Sequence, residues 1–124
     1  ERGGRMGRDP FDHEQLLVVE GEAGLVVFSG CSHSGILNMV KAAVRHFPGV
    51  PIAAVIGGFH LIGIPGTMAG SRRDVEKIGR EMLRFGPGVV YTGHCTGGKG
   101  YRILKTVMGD SLQPLTTGRV VEAG

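Results

Sequence analysis

Leu25-Val26-Val27-Phe28-Ser29-Gly30-Cys31-Ser32-His33-Ser34-Gly35 passes from an apolar, β-branched run through a glycine to a histidine. The run reads as a buried strand, and the residues after it as a loop that opens a helix. Two further stretches share this design. Ile52-Ala53-Ala54-Val55-Ile56-Gly57-Gly58-Phe59 ends at His60, and Val89-Val90-Tyr91-Thr92-Gly93 ends at His94. A sheet of strand–helix units places its strand carboxyl ends along one edge, where ligands bind. His33, His60 and His94 are therefore expected at one edge as candidate metal ligands, with glycines that let the backbone turn sharply beside them.

Working outward, segments 14–19 and 25–29 flank the polar turn Glu20-Gly21-Glu22-Ala23-Gly24 and predict a β-hairpin. Ile36, Val40, Val44 and Phe47 recur with a helical period that Pro48-Gly49 stops. Ser71 is placed to cap a second helix, with Asp74 as the partner of a weak capping box. Val75, Ile78, Met82 and Phe85 form its inner stripe, while Arg72, Lys77, Arg80 and Arg84 face water. A third helix at about 99–108 buries Tyr101, Leu104 and Met108. Leu112 to Val121 reads as one bent strand or two short ones. The predicted order is β-β-α-β-α-β-α-β, an α/β domain with a mixed sheet and helices on one face. Residues 1–13 read as a flexible leader and 14–124 as the domain.

Composition sets bounds on function. The chain has 124 residues, 41% of them hydrophobic, enough for one core. Its 23 glycines are roughly 2.5 times the ~7% average usage, and many sit at strand-to-loop junctions, as tight turns require. The net charge of +3 draws on Arg2, Arg5 and Arg8 in the leader, which reads as a solvated basic tail and not as a nucleic-acid surface. Two cysteines are too few for a disulfide scaffold and suit a reduced cytoplasmic protein. No apolar run approaches the ~20 residues of a membrane span, and the start of the chain lacks a signal-peptide core.

Other motifs stand beside the histidines. Gly93-His94-Cys95-Thr96-Gly97-Gly98-Lys99-Gly100 nearly fits the phosphate-loop pattern G-x-x-x-x-G-K-[ST], with Gly100 where the magnesium-binding hydroxyl belongs. It supports a phosphate- or nucleotide-binding reading, or at least an anion contact by Lys99 at a helix amino terminus. Cys31, His33, His94 and Cys95 form a rival, closed metal set, disfavoured because adjacent residues seldom both face one ion and the spacing matches no CxxC-type knuckle. His46 suits the end of a helix, and His13 lies in the leader.

Four blocks carry a family resemblance: Asp9-Pro10-Phe11 through Glu14-Gln15, Gly24 to Asn38, Ile56-Gly57-Gly58-Phe59-His60-Leu61, and Tyr91-Thr92-Gly93-His94-Cys95-Thr96-Gly97. They resemble metallo-β-lactamase-fold metallohydrolases, and within them the 7,8-dihydropterin-6-yl-methyl-4-(β-D-ribofuranosyl)aminobenzene-5′-phosphate synthase-like branch. The resemblance implies half of an αβ/βα sandwich with one or two metals, usually zinc, at a sheet edge. It matches His33 and His94 to metal-binding histidines of that family. His60 falls where the wider superfamily has a bridging aspartate nearby, so it either binds metal or contacts substrate. Ser32 and Thr96, with Lys99, are candidates for orienting ligands or binding substrate.

The family's His-x-His-x-Asp-His block is absent, and the chain holds no H-x-H pair. It resembles the carboxyl-terminal half alone. The implied activity is hydrolysis of an ester, phosphate or related small molecule by metal-activated water. The implied partner is the amino-terminal half of the fold or a second copy of the chain, and the chain by itself is expected to be inactive. No catalytic residue beyond the ligands is assignable. A non-catalytic assembly module derived from the same fold is the alternative.

Overall fold

The computed structural model describes residue 10 and residues 12–63 and 67–122. Most of the expected leader lies outside these residues. The chain folds in the order β1 (Leu16–Gly21), β2 (Gly24–Ser29), α1 (Ile36–His46), β3 (Ile52–Gly57), α2 (Arg72–Arg84), β4 (Val89–Thr92), α3 (Gly97–Met108) and β5 (Leu112–Pro114). The five strands form one sheet in sequence order. β1 and β2 pair antiparallel around a two-residue turn, with Gly21 opposite Gly24, and the remaining pairs are parallel. Each parallel pair is joined through one helix. Crossovers of one hand put such helices on the same face.

Alternation assigns the side chains. Val18, Val27, Val55, Val90 and Leu112 stand in register across the sheet. They share a core with Ile36, Val40 and Ala43 of α1, Val75 and Met82 of α2, and Ile103, Leu104 and Met108 of α3. Gly79 brings α2 close to α3, since a Cβ there would press on Val107 and Leu104. The Ser71–Asp74 capping box is fully formed. In α1, Met39 and Ala43 are buried beside Ile36 and Val40, while the predicted Val44 and Phe47 are only half-buried at the margin.

The opposite face has its own register. Val19–Val26–Ala54–Val89 and Leu17–Phe28–Ile56–Tyr91 form its two rows. Val26, Ala54 and Ile56 are buried, with Leu115 and Val121 packed against them. The expected strand over 112–121 is corrected here. Only Leu112–Pro114 pairs, and the chain then turns back over this face. Arg119 lies over the Tyr91 ring at 5.1 Å and donates to the Pro114 carbonyl. At the other margin Leu17 and Val19 stay exposed.

Candidate metal centre

The carboxyl ends of β2, β3 and β4 meet at one edge, and backbone bonds tie their loops together. Gly58 N–H donates to the Gly30 carbonyl, and Leu61 and Ile62 N–H groups both donate to the Cys95 carbonyl. Buried hydroxyls add brackets. Ser32 Oγ donates to the Gly58 carbonyl at 2.7 Å and meets Ser29 Oγ at 2.8 Å. Thr96 Oγ1 accepts from Phe59 N–H and meets Thr92 Oγ1, which donates to the Gly57 carbonyl. Ser32 is 2% exposed and Thr96 is 0% exposed. Their hydroxyls brace the junction between the loops that carry the histidines.

Three non-glycine residues have left-handed backbone: Ser32 (φ 58°), His60 (φ 48°) and His94 (φ 50°). One stands in each loop of the edge. Such conformations are costly for side-chain-bearing residues and persist where the surroundings over-determine them, often at functional sites. Here they turn the chain within a few residues of its strand end.

His33 and His60 have ring centroids 4.1 Å apart at an angle of 33°. His94 makes a different contact: its Nδ1 is 3.7 Å from Cys31 Sγ. Cys95 Sγ accepts from His60 N–H at 3.3 Å and donates to the Cys31 carbonyl at 3.5 Å. Donor atoms of Cys31, His94 and Cys95 all lie within 4.8 Å of one another. Both cysteines belong to the closed metal set that the sequence spacing disfavours. The available signal was sequence proximity: Cys31 lies two residues before His33, and Cys95 directly follows His94.

Gly58 makes that meeting possible. A Cβ on it would stand 2.5 Å from Cys95 Sγ and 3.2 Å from the Gly30 carbonyl oxygen. A Cβ on Gly57 would strike Ser29. This neighbourhood therefore has no room for a side chain. Burial pushes the Cys95 thiol above its ordinary value, with His60 N–H opposing and Cys31 adding to the rise.

Glu14 was missed as a site residue because its partners are 19 and 20 residues away in sequence. Its carboxylate accepts from His33 N–H and Ser34 N–H, both at 2.6 Å. Partial burial opposes its ionisation, but the Ser34 hydroxyl and the two N–H groups together hold its carboxyl below the usual range. It thereby fixes the loop that leads into α1, whose Gly35 cap offers no side-chain acceptor.

The phosphate-loop reading fails on geometry. His94–Thr96 is a single 3-10 turn and α3 begins at Gly97, so Gly97, Gly98 and Gly100 lie within the helix. A Cβ on Gly100 would press on Leu61. No free loop remains to wrap a phosphate chain. His94 instead borders a groove of about 270 Å3 lined also by Gly97, Tyr101, Arg102 and Thr116. Lys99 is exposed and lines a neighbouring groove with Arg72, Arg102 and Thr106.

No family model matches the chain. It is 34% identical over 119 residues to the 7,8-dihydropterin-6-methyl-4-(β-D-ribofuranosyl)-aminobenzene-5′-phosphate synthase of Methanocaldococcus jannaschii, a match that covers 96% of this chain and 38% of that protein. An uncharacterized protein of the same organism is 33% identical over 63 residues, covering 51% of this chain and 22% of its own length. The crystal structure of Tm1679, a metal-dependent hydrolase of the β-lactamase superfamily, superposes with a TM-score of 0.82 at 32% identity. That match covers 100% of this chain and 46% of the other. The chain thus spans less than half the length of each of these relatives. Sheet order and these similarities agree that the chain has the fold of part of a metallo-β-lactamase-superfamily domain.

Proposed function

We propose that the chain is the metal-binding, carboxyl-terminal half of a metallo-β-lactamase-superfamily hydrolase acting on an ester, phosphate or related small molecule. The observation that carries this reading is the convergence of three strand-end loops, each bearing one histidine and one left-handed residue, on a single edge. His33, His60 and His94 are the residues that would hold the ion, and imidazole suits a zinc-class metal. Such an ion supplies Lewis acidity and a hydroxide equivalent near neutral pH. Ser32 and Thr96 hold the loops in position, Glu14 fixes the His33 loop, and Lys99 is placed to attract an anionic substrate from beside the groove. The synthase name of the curated relative makes a pterin- or phosphate-bearing molecule a second substrate class to assay.

The partner would be the amino-terminal half of the same fold or a second copy of the chain. Exposed Leu17 and Val19 on the outer sheet face support that need, and they equally favour the alternative of a non-catalytic assembly module. Equilibrium dialysis against zinc, followed by hydrolase assays with and without an added segment bearing His-x-His-x-Asp-His, tests the reading. The expected result is weak zinc binding by the chain alone, lost in His94→Ala, with turnover only after the halves combine. Robust turnover by the isolated chain would contradict the half-site. Absence of metal binding with no gain on combination would favour the assembly module.

A further inference from the structure

We propose that Cys31 and Cys95 are sulfur donors to the ion held by His94, so that the edge is a mixed thiolate–imidazole site and not a site of histidines alone. This rests on the reading of the edge as a metal centre. It goes beyond it by naming the donor chemistry and hence the class of metal.

The geometry supports the assignment at each donor. With Zn–S near 2.3 Å and Zn–N near 2.0–2.1 Å, two ligands of a tetrahedral ion stand about 3.6 Å apart. Cys31 Sγ and His94 Nδ1 are 3.7 Å apart before any ion is considered. The third donor, Cys95 Sγ, brings the widest separation to no more than 4.8 Å, within about 1 Å of the sulfur–sulfur edge of such an ion. The adjacency of His94 and Cys95 does not separate them, because His94 sits at φ 50° in a 3-10 turn. Consecutive side chains in such a turn stand about 120° apart, where an extended backbone would oppose them. The space Cys95 occupies exists only because residue 58 has no Cβ.

Chemistry then selects the ion. Thiolate and imidazole together favour zinc or iron over magnesium, calcium or manganese, which prefer oxygen. On coordination each thiol releases its proton to solvent as its sulfur–metal bond forms, and no electron changes hands.

The test uses the full chain under reducing conditions. Zinc-loaded protein is measured by X-ray absorption, and cobalt-loaded protein by near-ultraviolet absorption. A sulfur shell near 2.3 Å and a thiolate-to-cobalt charge-transfer band are expected. Cys31→Ser and Cys95→Ser should each remove part of that band and weaken metal binding at least about tenfold, as loss of a ligand should exceed loss of a mere supporting contact. A nitrogen/oxygen shell alone, with metal affinity unchanged in both serine variants, overturns the sulfur assignment and leaves the hydrolase reading standing. Failure to bind metal even in large excess overturns the sulfur assignment, and if combination with the missing segment also brings no gain, the hydrolase reading falls with it. The wild-type spectra need no substitution, so a variant that fails to fold does not blunt the result.

Discussion

The two faces of the sheet are built from the same strands by alternation, yet they reach different states of burial. On the helical face Leu25, Val27, Val55, Val90 and Leu112 are all fully buried. On the outer face burial falls off along one row, from Ala54 at 0% exposure to Val19 at 47%, with Leu17 in the next row at 61%. The helical face is covered by segments that each lie between two adjacent strands, so its cover arrives with the topology. Among the described residues, the outer face has only the turn-back after β5, which reaches as far as Val121. Strands apolar on both faces belong to sheets with a cover on each side. Here one cover is local in sequence and the other is not.

The comparison breaks most sharply at leucine positions. Leu25→Ala on the helical face should lose about 3 kcal/mol, the usual cost of emptying a buried leucine site. Leu17→Ala on the outer face should stay within about 0.5 kcal/mol, as for an exposed side chain. Urea denaturation of the two variants measures both. A cost at Leu17 as large as at Leu25 would mean that the outer face is closed in solution.

At the strand ends the expected effect is somewhat smaller and more local. Gly58→Ala forces a methyl against Cys95 Sγ and the Gly30 carbonyl, and over-packing of this kind costs about 1–3 kcal/mol. The displaced groups carry the His60 and Cys95 contacts, so the variant should also weaken zinc binding at the edge. Equilibrium dialysis with unchanged affinity would show that the loop relaxes without moving its donors.

How much of this was readable from sequence follows the same division. Helices and helical-face strands were legible because their signals are local: the Ile36–Val40 spacing, the Ser71–Asp74 cap, the β-branched runs before each glycine. The three loop histidines were legible because each repeats one strand–glycine–histidine design. Three features were not. The segment after Pro114 looks strand-like by composition, but among the described residues no strand pairs with it, and Leu115 and Val121 pack on the outer face instead. Glu14 acts across the gap between β1 and the loop after β2, which no short-range pattern encodes. The approach of Cys95 to Cys31 depends on a left-handed residue at His94, and histidine carries only a weak preference for that conformation.

The exposed margin of the outer face gives a third test, with a weaker effect. Leu17 and Val19 lie side by side on β1, itself an edge strand of the sheet. Edge strands with exposed apolar side chains pair readily with other chains. Sedimentation of the isolated chain is expected to depend on concentration in the micromolar range. Leu17→Lys together with Val19→Lys should abolish that dependence and leave the urea midpoint of the dilute protein unchanged. A concentration-independent monomer for the unsubstituted chain would show that this margin needs no cover.

The smallest effect is expected at the far end of the helical face, where α2 begins. Ser71 Oγ accepts from Asp74 N–H at 3.2 Å, and Asp74 Oδ2 accepts from Ser71 N–H at 2.9 Å and from Ser71 Oγ at 2.6 Å. Ser71→Ala removes a helix cap worth about 1 kcal/mol. The Ser71 hydroxyl, followed by its backbone N–H, holds the Asp74 carboxyl below its ordinary 3.8. A carboxylate with a depressed folded value stabilises the fold above its unfolded value, and that contribution fades as pH falls through the folded value. The stability gap between wild type and Ser71→Ala should therefore be flat from about pH 5 to 7 and narrow below 3.8. α2 contributes Val75 and Met82 to the helical face only. Loosening its first turn should lower the denaturation midpoint slightly and leave outer-face association untouched. If Ser71→Ala instead changes the sedimentation of the chain, the two faces are coupled through the sheet, and the independence of their covers is lost.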